Sequence, residues 1–363
     1  MILDQLSLAK ELIRIDTSTS TGKTLECAKY LSDLLEKNDF NCRLLKKGKD
    51  ANLLASYGRT PELIFSGHMD TVDPDPKEWD FDPWKPRIKN GKLFGLGSCD
   101  MKSQIACAVS SVLNNKSKMK KGCKFVFTFD EETGFTGINS IPKPYLKNKY
   151  TIVCEPSGLY TVIAHKGIIR FALTVYGKSA HGSTPWKGVN ALDHAIKLET
   201  QILELNKSLL KRKNSILGFP AYNLGVLNGG RETNIVPSEA LMKFEYRLIP
   251  ELSAKKVISN VSSLINSYCK KNKLKYNLIY KYLTGPFFES KTSKFASKIR
   301  EISGKDYLFF TGATEAPFFQ RAGAQTVIFG PGKGMEHKAN EFIELSQLKK
   351  GAKLYEKIIR EFC

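Results

Sequence analysis

His68 and Asp70 stand at the end of an apolar run, Leu63-Ile64-Phe65-Ser66-Gly67, and acidic or imidazole side chains recur further on: Asp100, Glu131-Glu132, Glu155 and His337. Imidazole nitrogen and carboxylate oxygen together suit Zn²⁺, Co²⁺ or Mn²⁺. A carboxylate near a ligating imidazole can hold its second ring nitrogen, and Asp70 has the spacing for that duty. A His beside an Asp is, alone, a common surface or cap feature; the weight comes from the recurrence at similar strand-end positions. Five ligands with an aspartate among them point to two ions sharing one carboxylate. Two metals roughly 3.5–4 Å apart lower the pKa of bound water and clamp the attacking and leaving oxygens. Hydrolysis also needs a base for the water proton, and Glu131-Glu132 offers a ligand and a base side by side.

These side chains need elements to carry them. Strands are expected at 41–46, 52–57, 62–67, 123–129, 150–154 and 325–329, and helices at 24–37, 101–114, 290–303 and 346–362. An amphipathic pattern over 1–15 (Ile2, Leu6, Ala9, Ile13) reads as a docked helix. It lacks a signal peptide's apolar segment. Asn90-Gly91 marks a hairpin turn between short strands. Gly95-Leu96-Gly97 is too short for a nucleotide loop and reads as a turn delivering Asp100 to a helix start. The repeated order is strand, acid, helix, and ligands in α/β sheets gather beyond the carboxyl ends of strands. Composition then shifts. Segments 160–176 and 223–248 read as paired strands, with helices at 188–213 and 253–271 and a last strand near 275–281. That predicts helices on an antiparallel sheet, inserted into the first fold. A loop follows at 311–314, ahead of the strand at 325–329.

The chain has 363 residues, 42% hydrophobic and 25% charged, which fits a globular protein of two domains. No apolar run approaches the roughly 20 residues of a membrane span, and a cytoplasmic location is expected. None of the eight cysteines forms a CxxC pair, so buried reduced thiols are expected; Cys99 and Cys154 read as packing rather than ligands. The net charge of +20 is spread through surface-type positions. A nucleic-acid binder would concentrate it with interleaved aromatics, so a lysine-rich solvated face is the better reading.

The motifs His68-Met-Asp70, Gly97-Ser-Cys-Asp100-Met101-Lys102, Asp130-Glu131-Glu132-Thr133-Gly134, Cys154-Glu155-Pro156 and Glu336-His337 together resemble the signatures of the M20 metallopeptidase family. Within it, they are most similar to the acetylornithine deacetylase and succinyl-diaminopimelate desuccinylase group. The resemblance implies an α/β, two-domain protein. A mixed-sheet zinc-peptidase-like catalytic domain (1–167 and 285–363) would carry an inserted α+β lid and dimerisation domain of ferredoxin-like sandwich type (168–284). It implies that His68 and Glu155 hold one ion, Glu132 and His337 the other, and that Asp100 bridges them. Zn²⁺ is the expected ion, with Co²⁺ an alternative. Asp70 would orient His68, Glu131 would be the general base, and the Asp100–Met101 peptide would be cis. Gly177-Lys-Ser-Ala-His181-Gly182 resembles the motif whose histidine reaches a partner subunit's site and stabilises an oxyanion, so a homodimer is implied. Asn234, Arg247 and Gly312 match substrate-binding positions, Arg247 as a bidentate partner for a carboxylate. A plain surface-strand role for Arg247 is an equal alternative. His165 and His194 read as structural.

Thr314-Glu315-Ala316-Pro317-Phe318 resembles a segment of acetylornithine deacetylases. Glu315 is therefore expected to meet the substrate's side-chain ammonium, against the alternative of an acid at a helix start. The implied reaction is amide hydrolysis of an N-acyl amino acid, N-acetylornithine to ornithine and acetate, in arginine biosynthesis. Desuccinylation of N-succinyl-diaminopimelate in lysine biosynthesis and broader aminoacylase or carboxypeptidase action are alternatives. A non-catalytic binding protein on this fold would lack ligands or base, and every expected position is filled. No nucleic-acid or membrane partner is expected.

Overall fold

The computed structural model describes residues 3–363 apart from Gly22 and Thr311. Ile2 of the N-terminal pattern and Thr311 of the loop at 311–314 lie outside the described residues. The chain divides into two compact units, one running through Ile163 and including Glu289–Phe309 and Thr314–Cys363, the other comprising Ala164–Phe288 and Phe310–Ala313. Residues 310–313 thus group with the second unit, whereas the sequence reading put them in the returning segment 285–363.

The first unit is built on a mixed sheet. Its order runs Asn41–Lys47, Asp50–Tyr57, Cys123–Thr128, Leu63–His68, Tyr150–Val153, Gln325–Ile328 and Thr161–His165. Leu63–His68 is parallel to both of its neighbours, and Gln325–Ile328 is parallel to Tyr150–Val153. All six residues of Leu63–His68 are buried. A strand flanked on both sides and covered on both faces must read as an unbroken run of apolar and small residues, which is why alternation is missing there. Parallel pairing sends the carboxyl ends of these strands to one edge of the sheet.

Helix Lys102–Asn115 packs against Leu63–His68, with helices Gln5–Arg14 and Leu345–Phe362 beside it. Its small residues Ser103, Ala106, Ala108, Ser110 and Ser111 are buried, so neighbouring backbones approach closely. Helix Gln5–Arg14 is capped by Asp4, whose carboxylate accepts the Ser7 N–H at 2.9 Å. The hairpin of Arg87–Lys89 and Lys92–Phe94 turns through Asn90 (φ 49°) and Gly91 (φ 72°), residues that tolerate the left-handed region such a turn requires. The eight cysteines are free thiols, all buried except the half-buried Cys42.

In the second unit the order along the chain is strand Gly167–Tyr176, helix Ala191–Leu209, strands Ala221–Gly229 and Glu239–Leu248, helix Ala254–Lys271 and strand Lys275–Thr284. The antiparallel sheet places Glu239–Leu248 and Gly167–Tyr176 centrally, with Ala221–Gly229 and Lys275–Thr284 at its edges. This is the ferredoxin-like arrangement. Phe171, Leu173, Val175, Met242, Phe244 and Tyr246 alternate into the buried face, the period-2 pattern of a one-sided sheet.

Several short elements were not expected, two of them beside the loop at 311–314. A short strand, Tyr307–Phe310, follows helix Lys294–Ser303, and a short helix, Ala316–Arg321, opens with Pro317 in its first turn. Four and six residues are too few for periodicity to be read.

Candidate metal centre

Strand ends position the cluster in the first unit. His68 closes Leu63–His68, Glu131 and Glu132 follow Cys123–Thr128, and Glu155 follows Tyr150–Val153. Asp100 sits just ahead of helix Lys102–Asn115, and the Asp100–Met101 peptide is cis. His337 comes from the loop beyond Gln325–Ile328, with a left-handed φ of 59°.

Asp100 lies at the middle of the group. Its Oδ1 is 3.1 Å from His68 Nε2, and its Oδ2 is 3.6 Å from His337 Nε2. On the His68 side, Glu155 Oε2 lies 3.8 Å from Nε2; on the His337 side, Glu132 Oε2 lies 2.9 Å from Nε2. Single atoms of His68, Asp100 and Glu132 all fall within 4.8 Å of one another. The five residues therefore form two imidazole–carboxylate pairs, one on each oxygen of Asp100. This donor set fits divalent ions. Hard carboxylate oxygens mix with borderline imidazole nitrogens, and two diverging oxygens on one aspartate suit a shared ligand.

The electrostatics show how strongly the group wants positive charge. Burial pushes the Glu155 carboxyl up to about 7, with Asp100 and Glu132 adding to the rise. Burial also drives Glu131 well above the carboxylate range, reinforced by Glu155, Glu132 and Glu315. Burial works against a charged His68, but Glu155 and Asp100 hold its pKa well above the ordinary value. The hydrogen bond to Glu132 lifts His337 to about 9.

Asp70 approaches the other ring nitrogen of His68 mainly through its backbone. Its carbonyl oxygen is 2.9 Å from Nδ1, whereas its Oδ1 is 3.8 Å away. Its Oδ2 accepts the Glu132 N–H at 3.1 Å, so Asp70 touches both halves of the group. Burial raises its carboxyl to about 6.

Glu315 lies deeper than the sequence reading implied. It is 1% exposed, and its Oε2 lies 3.4 Å from the Ser66 hydroxyl. Burial pushes its carboxyl up to about 8, with the Thr128 hydroxyl pulling the other way. The carboxylate is packed beneath the ends of Leu63–His68 and Cys123–Thr128. Its burial weighs against the expected contact with a substrate ammonium.

Glu341 is a residue the sequence reading missed. It is buried and accepts the N–H groups of Gly97, Cys99 and Asp100. Burial pushes its carboxyl up to about 8 against the pull of these donors. Its spacing from His337 matches no local motif, and nothing in the sequence singled it out.

In the second unit, His181 pairs with Ile235 in a bridge beside Asn234, whose carbonyl accepts the Gly182 N–H at 2.7 Å. The structure thus brings His181 and Asn234 together. His181 Nδ1 is 2.7 Å from the Ser183 hydroxyl. Arg247 donates Nε–H to Glu245 at 2.8 Å on the same strand. Gly312 is exposed. His165 is fully buried, and His194 Nδ1 lies 2.9 Å from the Tyr268 hydroxyl; both are packing residues.

Comparison with known proteins agrees with this geometry. The model of "Peptidase family M20/M25/M40" matches residues 64–361. An acetylornithine deacetylase of Buchnera aphidicola (subsp. Schizaphis graminum) is 31% identical, with 99% of this chain and 98% of that protein aligned. A probable succinyl-diaminopimelate desuccinylase of Staphylococcus aureus (strain N315) is 30% identical over 91% of each chain. Among solved structures, an M20 family metallo-carboxypeptidase from Sulfolobus solfataricus superposes with a TM-score of 0.84, covering 99% of both chains at 19% identity. The chain belongs to peptidase family M20/M25/M40, and it is a metal-dependent hydrolase of that family.

Proposed function

We propose that this protein uses two divalent ions, Zn²⁺ or Co²⁺, to hydrolyse the amide of an N-acyl amino acid, with N-acetylornithine the substrate and ornithine and acetate the products. The observation that carries the reading is the pair of imidazole–carboxylate sets on the two oxygens of Asp100. In this reading His68 and Glu155 hold one ion, Glu132 and His337 the other, and Asp100 both. Such ions, when bound, polarise the amide carbonyl and lower the pKa of water. Glu131 takes the proton of the attacking water and returns it to the amine nitrogen as the C–N bond breaks. Asp70 keeps His68 in the tautomer that presents Nε2 to the site. Asn234 and Arg247 bind the substrate carboxylate, Gly312 lines its path, and His181 donates to the oxyanion across a homodimer.

The substrate is supported by the full-length likeness to an acetylornithine deacetylase and by the Thr314-Glu315-Ala316-Pro317 segment. That substrate would place the protein in arginine biosynthesis in the cytoplasm; among the described residues no helix is long and apolar enough to cross a membrane. The second reading, desuccinylation of N-succinyl-diaminopimelate, is favoured by the likeness to the staphylococcal protein. Turnover of N-acetylornithine, N-succinyl-diaminopimelate, N-acetylmethionine and a dipeptide by the Zn²⁺- or Co²⁺-loaded protein separates them. A strong preference for acetylornithine is expected. Preference for the succinyl compound would select the second reading, and turnover of none, with metal bound, would overturn both.

A further inference from the structure

Glu341 lies just ahead of the strand Phe342–Glu344 and is 2% exposed. Its Oε2 accepts the Gly97 N–H at 2.7 Å, and its Oε1 accepts the N–H groups of Cys99 at 2.6 Å and Asp100 at 2.8 Å. Its own carbonyl accepts the Gly95 N–H at 3.0 Å. The loop that delivers Asp100 is therefore tied at four of its backbone groups to one residue. That residue belongs to the segment that also carries His337. Phe342–Glu344 pairs with Lys92–Phe94 immediately before the loop, which anchors both segments on the same short sheet. The Glu341 oxygens face the loop's N–H groups, and the residue supplies no atom to the five-residue group around Asp100.

A carboxylate accepting backbone N–H groups makes strong, directional bonds. Removing it would leave three donors without their partner in a buried loop, and the loop would have to shift to satisfy them. Asp100 is at the end of that loop, and its two oxygens reach the two histidines from the backbone position that the Glu341 bonds hold. We propose that Glu341 is a positioning residue that fixes the backbone of Asp100 relative to His337, so that binding of both ions depends on it. The inference rests on the reading of Asp100 as the shared ligand.

The test is Co²⁺ titration of the chelator-stripped full-length protein against a competing chelator, with the visible Co²⁺ spectrum recorded. Parent, E341A and E341Q are compared, and the unfolding midpoint of each metal-free protein is measured alongside. An amide keeps the acceptor for Cys99 and Asp100 but turns an NH₂ toward the Gly97 N–H. The expected result is affinity for both ions weaker by about 10–100-fold in E341A, the range typical of groups that orient metal ligands. E341Q should show a smaller loss and an altered Co²⁺ spectrum. If E341A does not fold, E341Q decides. Parent-like affinities and spectrum in E341Q overturn the proposal, as does a lowered metal-free midpoint with unchanged affinity. A parent that bound no Co²⁺ would overturn the two-metal reading itself and this inference with it, whereas a parent that bound two ions beside unaffected variants would overturn only the role of Glu341.

Discussion

His337 Nε2 lies 2.9 Å from Glu132 Oε2, although His337 is on a loop near the end of the chain and its side chain is 56% exposed. Its partner's side chain is only 5% exposed. The exposed histidine thus closes one side of a group whose other members are buried or nearly so, at or just beyond strand ends and, for Asp100, on the loop ahead of helix Lys102–Asn115. If each imidazole–carboxylate pair holds one ion, His337→Ala should reduce bound metal from two ions to one. Turnover should fall at least about 100-fold, because half of the electrostatic stabilisation goes with the ion. Asp100→Ala should abolish tight binding of both. Metal analysis after gel filtration reads both outcomes; two ions retained in His337→Ala would contradict the assignment.

Glu131 is buried next to the ligand group and makes none of the close contacts that link Asp100, His68 and His337. As the base it should be dispensable for metal binding and essential for turnover. Glu131→Gln is expected to lower kcat by about 10²–10⁴-fold with metal content unchanged. Equal loss of both would make it a ligand instead.

The burial of Glu315 gives an expectation opposite to the sequence reading. Glu315→Ala removes the partner of the Ser66 hydroxyl and should destabilise the protein by about 1–3 kcal/mol. The ratio of kcat/KM for acetylornithine over acetyl-leucine should stay within about twofold, a difference below ~0.5 kcal/mol. Collapse of that ratio, with the fold intact, would restore Glu315 as a substrate contact.

His165 provides a pH dependence away from the metal centre. It is fully buried, and burial lowers its pKa from 6.5 to about 4. The unfolded chain therefore takes up a proton below about pH 6.5 while the folded chain does not until about pH 4. Stability is fully present above pH 6.5 and declines as pH falls toward 4, by about 2–3 kcal/mol at the acid end. His165→Gln should remove this component. The gap between parent and variant, from urea unfolding at pH 7 and pH 4.5, should narrow or invert on acidification; a constant gap would show that His165 does not titrate as argued.

What could be read from the chain alone was what local pattern carries. The runs at 62–67, 123–129 and 150–154 announce buried strands, and each is followed directly by a histidine or an acid. Parallel pairing sends those ends to one edge, and it was the resemblance of the motifs to the M20 family, not the pattern alone, that implied which of these residues would be ligands. The inserted domain was legible for a similar reason, because its strands alternate and its helices repeat with helical period. Glu315 and Glu341 were not legible. Each is a single acid in a short irregular stretch, and its partners lie far away along the chain: Ser66 for Glu315, and Gly97, Cys99 and Asp100 for Glu341. A carboxylate looks the same in sequence whether it faces solvent or sits under a sheet. Only packing decided that Glu315 is sealed beneath the strand ends and that Glu341 holds the Asp100 loop, because burial and long-range hydrogen bonds arise from how the segments meet, which no local periodicity encodes.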